Sequence, residues 1–327
     1  MNKRRLLALG AALLCHAALL RAQTAGAALR RVAVFTPSTR ASDDLVGKPF
    51  YDEMRRLGWV EGRSVAYDHV AAEDRLDTLP RLAAEIVARK PEVILAVSSV
   101  TALAVRQAST SIPIIFAAVA DPVAAGLVAS LASPGGNATG MSNNIADSLA
   151  PKRLQLLLEV LPGAKRIGRL GSPTDPNARA DEAALAPLAG PLGLTMIVAS
   201  AANPGEFDAA VASLIEQRAQ AIVTGGTISV ILRERLLERA HRARIRVVGL
   251  NALMADAGAL FSHGTSLADA LRRSAQLVSK VLLGTQPADI PVEAPNRFEL
   301  VVNLKAAKML GIAIPQSFLL RADRVIE

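Results

Sequence analysis

Residues Pro91–Pro122, PEVILAVSSVTALAVRQASTSIPIIFAAVADP, admit few folds. Val93–Val97 is a short apolar run rich in β-branched residues, the composition of a strand covered on both faces. Ser98, Ser99 and Thr101 follow at once, and hydroxyl residues placed there satisfy the free N–H groups of a starting helix. The helix is expected to run through Ala102 to about Ala108. Pro113 closes the connection, and Ile114–Val119 forms a second buried strand ending at Asp121-Pro122. Parallel strands joined by a helix have their carboxyl ends on one edge of the sheet, and open α/β sheets bind ligands beyond that edge. There Ser98 and Ser99 would offer hydroxyls and backbone N–H groups to a carboxylate or another anion, and Asp121 would take an amino group. The same three residues would serve equally as helix caps alone. What favours a site is that the chain repeats this unit.

Arg30–Phe35 reads as an opening strand ending in Thr36-Pro37-Ser38, and Lys165–Leu170 reads as another, ending in Gly171-Ser172-Pro173-Thr174. Leu57-Gly58 and Leu192-Gly193 follow the two strands at the same spacing, and the amphipathic Leu76–Arg89 segment is matched by Phe207–Gln217. Ala221–Thr224 is a strand followed by Gly225-Gly226-Thr227, where the first half has Ser98-Ser99-Val100. Val230–Arg242 is a helix, and Ile245–Leu250 a strand ending at Asn251, placed like Asp121. The fold class is therefore α/β, with two similar doubly wound parallel-sheet domains and a ligand cleft between them that closes by hinge motion. Between these elements, Phe50–Leu57 and Pro122–Ala132 read as short helices and Ser64–Val70 as an edge strand. Ser133–Gly140 is a loop acting as hinge or cleft wall, because it lacks the strand-before, helix-after context of a phosphate loop. Leu260–Gly264 is a strand, Leu267–Leu283 a helix returning to the first domain, Phe298–Val302 a strand and Leu304–Leu310 a short helix. The expected division is 30–143 plus about 262–290 for the first domain and 147–260 plus about 291–327 for the second. The cross-overs near Asn143, Phe261 and Pro291 would flex.

The chain of 327 residues is long enough for two cores. Met1–Ala22 has the form of a secretory signal peptide: Lys3, Arg4 and Arg5, then an apolar run from Leu6 to Leu20, then small residues. Its removal would halve the formal charge of +8 and take away Cys15, the only cysteine, leaving a periplasmic protein without a disulfide or a thiol nucleophile. Aromatic residues make up only 3%, too few for a base-stacking nucleic-acid surface. His16, His69, His241 and His263 stand at no metal-ligand spacing, so no metal is expected. The sequence has no G-x-S-x-G elbow, Walker loop or dinucleotide fingerprint, so neither a cofactor nor a catalytic residue is expected.

The assembled pattern resembles the ABC-transporter substrate-binding proteins of the tryptophan/tyrosine type. The resemblance rests on Leu57-Gly58-Trp59-Val60-Glu61-Gly62-Arg63, Pro91–Ala96, Asp121–Val128, Pro134–Gly140, and Phe298–Asn303 followed by Lys305–Gly311. It implies a type I periplasmic-binding fold, a monomer, and delivery of a small solute, amino acids included, to an inner-membrane ABC permease. It implies ligand-binding positions at Ser98, Ser99, Asp121, Asn143, Ser172, Thr227 and Asn251. A periplasmic sensory receptor would use the same fold. So would an enzyme using cleft carboxylates, although Asp121 has no evident partner acid or base.

Overall fold

Val93–Val97 is a central strand because both of its faces are covered by apolar side chains, and the rest of the first sheet is laid down around it. The computed structural model describes residues 29–119, 121–143, 149–173, 175–295 and 297–327; the segment read as a signal peptide lies outside them. The first sheet contains β1 (Arg30–Thr36), β2 (Val65–Ala71), β3 (Val93–Val97), β4 (Ile114–Val119) and β5 (Ala138–Ser142). Its order is β2-β1-β3-β4-β5, parallel throughout. The second contains β6 (Arg166–Gly171), β7 (Thr195–Ser200), β8 (Ala221–Thr224), β9 (Arg246–Gly249), β10 (Phe261–Thr265), β11 (Phe298–Asn303) and β12 (Arg324–Ile326). Its order is β12-β11-β10-β9-β8-β6-β7, with β10 and β11 antiparallel. The run β7-β6-β8-β9-β10 repeats the order of the first sheet.

The side-chain period of two sends alternate residues of each strand to opposite layers. In the first domain Ala33, Phe35, Ile94, Ala96 and Phe116 meet Ala83, Ile86, Ala102 and Val105. Val32, Val34, Val93, Leu95 and Ile115 meet Phe50, Met54, Leu271, Ala275 and Val278 on the other face. The second domain repeats this arrangement, with Leu170, Ile222 and Val247 against Phe207, Val211 and Leu236, and Ile167, Val223 and Val302 against Leu154, Leu157 and Phe318.

The Leu267–Leu282 helix thus packs on the first sheet. β10 lies in the second sheet, whereas Glu293 still hydrogen-bonds the first: Ser142 N donates to its carbonyl at 2.8 Å and its N–H to Gly140 O at 2.9 Å. The chain changes sheets after Asn143, between β10 and that helix, and between Glu293 and β11.

Four readings of the sequence need correction. Pro122–Ala132 is a chain of turns, not a helix: Leu127 N and Val128 N both return to Pro122 O, and Gly126 takes the left-handed conformation (φ 69°) that ends a helical turn. Ala138–Gly140 is not loop but β5, where a Cβ on Gly140 would stand 2.1 Å from Phe116 O. The Val230–Arg242 helix is two helices, Thr227–Ile231 and Arg233–Arg242, divided at Leu232. The helix expected from Phe50 begins at Arg40.

That helix is fastened to Leu267–Leu282 through Glu53, which accepts from Gln276 Nε2 at 2.8 Å and from Arg56 Nε and Nη2 at 2.7 Å. Arg56 first, and then Gln276, hold the Glu53 carboxyl down from 4.5 to about 2. A carboxyl whose folded pKa lies below its unfolded one stabilises above the unfolded value and loses that stabilisation as pH falls through the folded one. The difference in urea stability between the native protein and Glu53→Gln is therefore expected at neutral pH and closes between pH 4.5 and about 2. A difference independent of pH across that interval would refute the assignment.

Candidate functional site

The two sheets present their carboxyl edges to a common cleft of about 1920 Å³. Pro37 and Ser38 reach it from the end of β1, Val97 and Ser98 from β3, Ala118 and Asp121 from β4. Gly226 and Thr227 reach it after β8, Leu250 and Asn251 after β9, and Gly264 and Thr265 at the end of β10. The order 2-1-3-4-5 reverses direction between β1 and β3, where such sheets open a crevice.

Five of the seven residues singled out from sequence line this cleft: Ser98, Asp121, Asn143, Thr227 and Asn251. Ser99 and Ser172 are buried (2% and 7% exposed) and outside its lining. Asp121 Oδ1 caps its turn, accepting from Val123 N at 3.0 Å and Ala124 N at 2.9 Å. Its Oδ2 accepts no hydrogen bond among the described residues, and the residue lines the cleft. Asn251 Oδ1 is buried, likewise without a partner. Asn143 Oδ1 accepts from Thr265 Oγ1 at 3.1 Å, joining two of the segments that pass between domains.

Ser98 has φ 111° and ψ 162°, a region that residues other than glycine rarely enter and that costs about 1–3 kcal/mol. Gly226, the N-cap of the Thr227–Ile231 helix, has φ 77° and ψ 165°. The halves therefore correspond as Ser98 to Gly226 and Ser99 to Thr227, one residue displaced from the register read in the sequence. Ser98 Oγ lies 3.2 Å from Thr101 Oγ1 and 3.5 Å from Thr101 N, so its hydroxyl is already tied to its own helix.

Sequence reasoning missed an ionic group in the second wall. Arg153 (4% exposed), Arg169 (2%) and Asp181 (9%) are buried together. Asp181 Oδ2 lies 2.8 Å from Arg153 Nη2 and 3.6 Å from Arg169 Nη2. Arg169 also donates to Leu170 O and, at 2.9 Å, to Ala178 O. Arg153 donates to His263 O at 3.3 Å. Burial pulls both guanidinium pKa values down and the Asp181 charge opposes it. His263 is pushed down to about 4, by burial first and then by Arg153, so its imidazole is neutral at physiological pH. Gly225 gives Arg169 its room: a Cβ there would stand 2.2 Å from Nη2. Asp175, also buried, accepts from Thr227 N at 2.7 Å. The signal was present in Lys165-Arg166-Ile167-Gly168-Arg169-Leu170, where a charge occupies a core position of a buried strand.

Among the described residues no phenylalanine, tyrosine or tryptophan lines the cleft; Leu149, Val230, Leu250, Leu253 and Leu267 supply its apolar surface. No cluster of potential metal ligands occurs, and no helix is long and apolar enough to cross a membrane, both among the described residues.

The family model described as ABC transporter substrate binding protein matches residues 31–326. A tyrosine-binding protein of Clostridioides difficile (strain R20291) is 27% identical over 269 residues, which are 82% of this chain and 77% of that one. A conserved domain protein of Vibrio cholerae has a crystal structure 27% identical in sequence, with a TM-score of 0.80 over 91% of this chain and all of that one. The ABC domain from Streptococcus pneumonia in complex with L-Trp is 25% identical, with a TM-score of 0.82 over the same shares.

Proposed function

We propose, for a chain that belongs to the ABC transporter substrate-binding protein family, that it is an exported receptor which closes around an amino acid and delivers it to an inner-membrane permease. The observation that carries this reading is the unpartnered Asp121 Oδ2 on one side of a cleft between two facing sheet edges. An α-ammonium group is the cation that fits beside a carboxylate capping a turn. The polar turns at Ser98, Asn143, Thr227 and Asn251 surround it, and the aliphatic walls suit an apolar side chain. The names of two relatives, one a tyrosine-binding protein and one solved with L-Trp, make L-tyrosine and L-tryptophan the first ligands to try. On this reading the first domain comprises 30–143 and 267–293, and the second 149–265 and 298–326. The boundary expected at about 262 moves past Thr265 because β10 pairs within the second sheet, and the one expected at about 291 moves past Glu293, which still bonds β5. The segments between them act as the hinge.

A thermal-shift screen of the purified mature protein tests the reading. A ligand that binds only the folded state raises the melting temperature, because at a hundred times its Kd it adds about 2.7 kcal/mol of stability. L-Tryptophan or L-tyrosine is expected to shift the transition, whereas sugars and nucleosides are not. Shifts from a sugar or nucleoside with every amino acid silent would replace this reading.

A further inference from the structure

We propose that the Arg153 guanidinium is the seat of the ligand's carboxylate, a proposal that rests on the receptor reading above. Arg153 lines the cleft yet is 4% exposed. A guanidinium carries five N–H donors. One of Arg153's reaches Asp181 Oδ2, one reaches His263 O, and its Nε is buried with no acceptor among the described residues. The Nε is closed off from solvent, so the donors a ligand can reach are the second N–H on each of Nη1 and Nη2, which likewise have no acceptor among the described residues. A charged donor left without one costs free energy, and the open space Arg153 lines is the cleft. The planar fork of arginine matches a carboxylate in two parallel hydrogen bonds, which a lysine cannot reproduce.

The other half of the molecule serves as an internal control. On β6, Arg169 pairs with Val223, two residues beyond the Ile167–Ala221 pair. On β1, Val34 pairs with Leu95, two residues beyond the Val32–Val93 pair. The register therefore equates Arg169 with Val34, and Val34 is simply packed among Phe50, Leu95 and Leu271. This architecture closes its core there without charge, so the ionic group in the second domain serves something other than the fold. Arg169 is fixed by two carbonyl oxygens and stands behind Asp181, and Asp181 in turn orients Arg153. Arg169 and Asp181 are positioning residues, and Arg153 is the contact. The Ser98 turn, to which sequence alone pointed for an anion, is a weaker seat because Ser98 Oγ and O already take the Thr101 and Ala102 N–H groups. An amino acid held this way has its ammonium on the first domain and its carboxylate on the second, so the ligand itself bridges the closed form.

The test compares an acid with its amide. Calorimetry is run with L-tryptophan and L-tryptophanamide, and with L-tyrosine and L-tyrosinamide, on the native protein, Arg153→Gln, Arg153→Lys and Ser98→Ala. The native protein is expected to prefer the acid by about 100-fold, as a charge-assisted bidentate pair would give. In Arg153→Gln the preference should fall below about 10-fold, with Arg153→Lys between the two, while Ser98→Ala keeps the native ratio whatever affinity it loses for acid and amide alike. The ratio is internal to each variant, so a change in overall stability does not imitate it. Should Arg153→Gln not fold, Arg153→Lys keeps the buried charge and carries the comparison alone. A preference that survives both Arg153 variants, or that vanishes in Ser98→Ala instead, overturns the proposal. If neither aromatic amino acid binds but another acid in the screen does, the aromatic assignment falls and the same comparison is made on that acid. If no carboxylate binds the native protein, the seat is refuted.

Discussion

Asp121→Asn is expected to weaken L-tryptophan binding by about 100-fold, or ~2.7 kcal/mol, while leaving the urea midpoint nearly where it was. The amide keeps an oxygen to cap Val123 N and Ala124 N, the two bonds that shape the turn after β4. What it loses is the charge on the free Oδ2. Charge loss opposite a desolvated ammonium typically costs a few kcal/mol, much of it from leaving that cation buried without a counter-ion. The control is 3-indolepropionate, which has the ring and the carboxylate but no ammonium. It should bind weakly and equally to the native protein and the variant. A variant that loses affinity for both compounds in the same proportion would mean that Asp121 shapes the turn and does not touch the ammonium.

The largest effect on stability is expected at Asp181. Asp181→Ala leaves two buried guanidinium groups without the carboxylate they share, and breaking one side of such a group costs about 3–5 kcal/mol. Urea denaturation measures it, and the loss should exceed that of any surface ion pair in the chain, which contributes about 0–1 kcal/mol. Replacing the whole group by apolar residues (Arg153→Met, Arg169→Met, Asp181→Leu) should recover much of the loss, since well-packed hydrophobic substitutes for buried ion pairs are often neutral or better. The triple variant should then be stable and bind L-tryptophan poorly. If Asp181→Ala costs less than about 1 kcal/mol, the three side chains do not act as one buried ionic unit.

The architecture was legible because it is written in apolar runs. Val93–Val97 and Ile114–Val119 are strands with the boundaries read from sequence, and the repeat located β6, β8 and β9 from their counterparts. Where the runs were short or polar the reading failed. β7 alternates exposed and buried residues at the sheet edge, and β12 is three residues long. Pro122–Ala132 had helical composition, but the Asp121 cap and Gly126 close it after one turn. In the cleft, the residues found were those that begin helices at strand ends, since hydroxyl, acid and amide side chains there are locally recognisable. Arg153 and Asp181 were missed because they meet only through the fold: 28 residues separate them, and each lies on an otherwise ordinary amphipathic helix. Only Arg169, a charge inside a buried strand, stood out locally.

Neither sheet and its covering layers are built from one continuous stretch of chain. The layer of Val32, Val34, Leu95 and Ile115 is covered by the Leu267–Leu282 helix, and β10 gains its antiparallel neighbour only when β11 arrives. A chain emerging from the ribosome therefore cannot finish either core until its C-terminal segments exist. Contacts of such long sequence separation also form slowly, because the loops they close must be ordered first. A fragment ending at Asn143 would present an apolar sheet face covered only by the Phe50 and Met54 side of its layer, and one ending at Thr265 would add an open strand edge. Neither core can close before these late segments are made, and until then the uncovered apolar face is the kind of surface that chaperones hold.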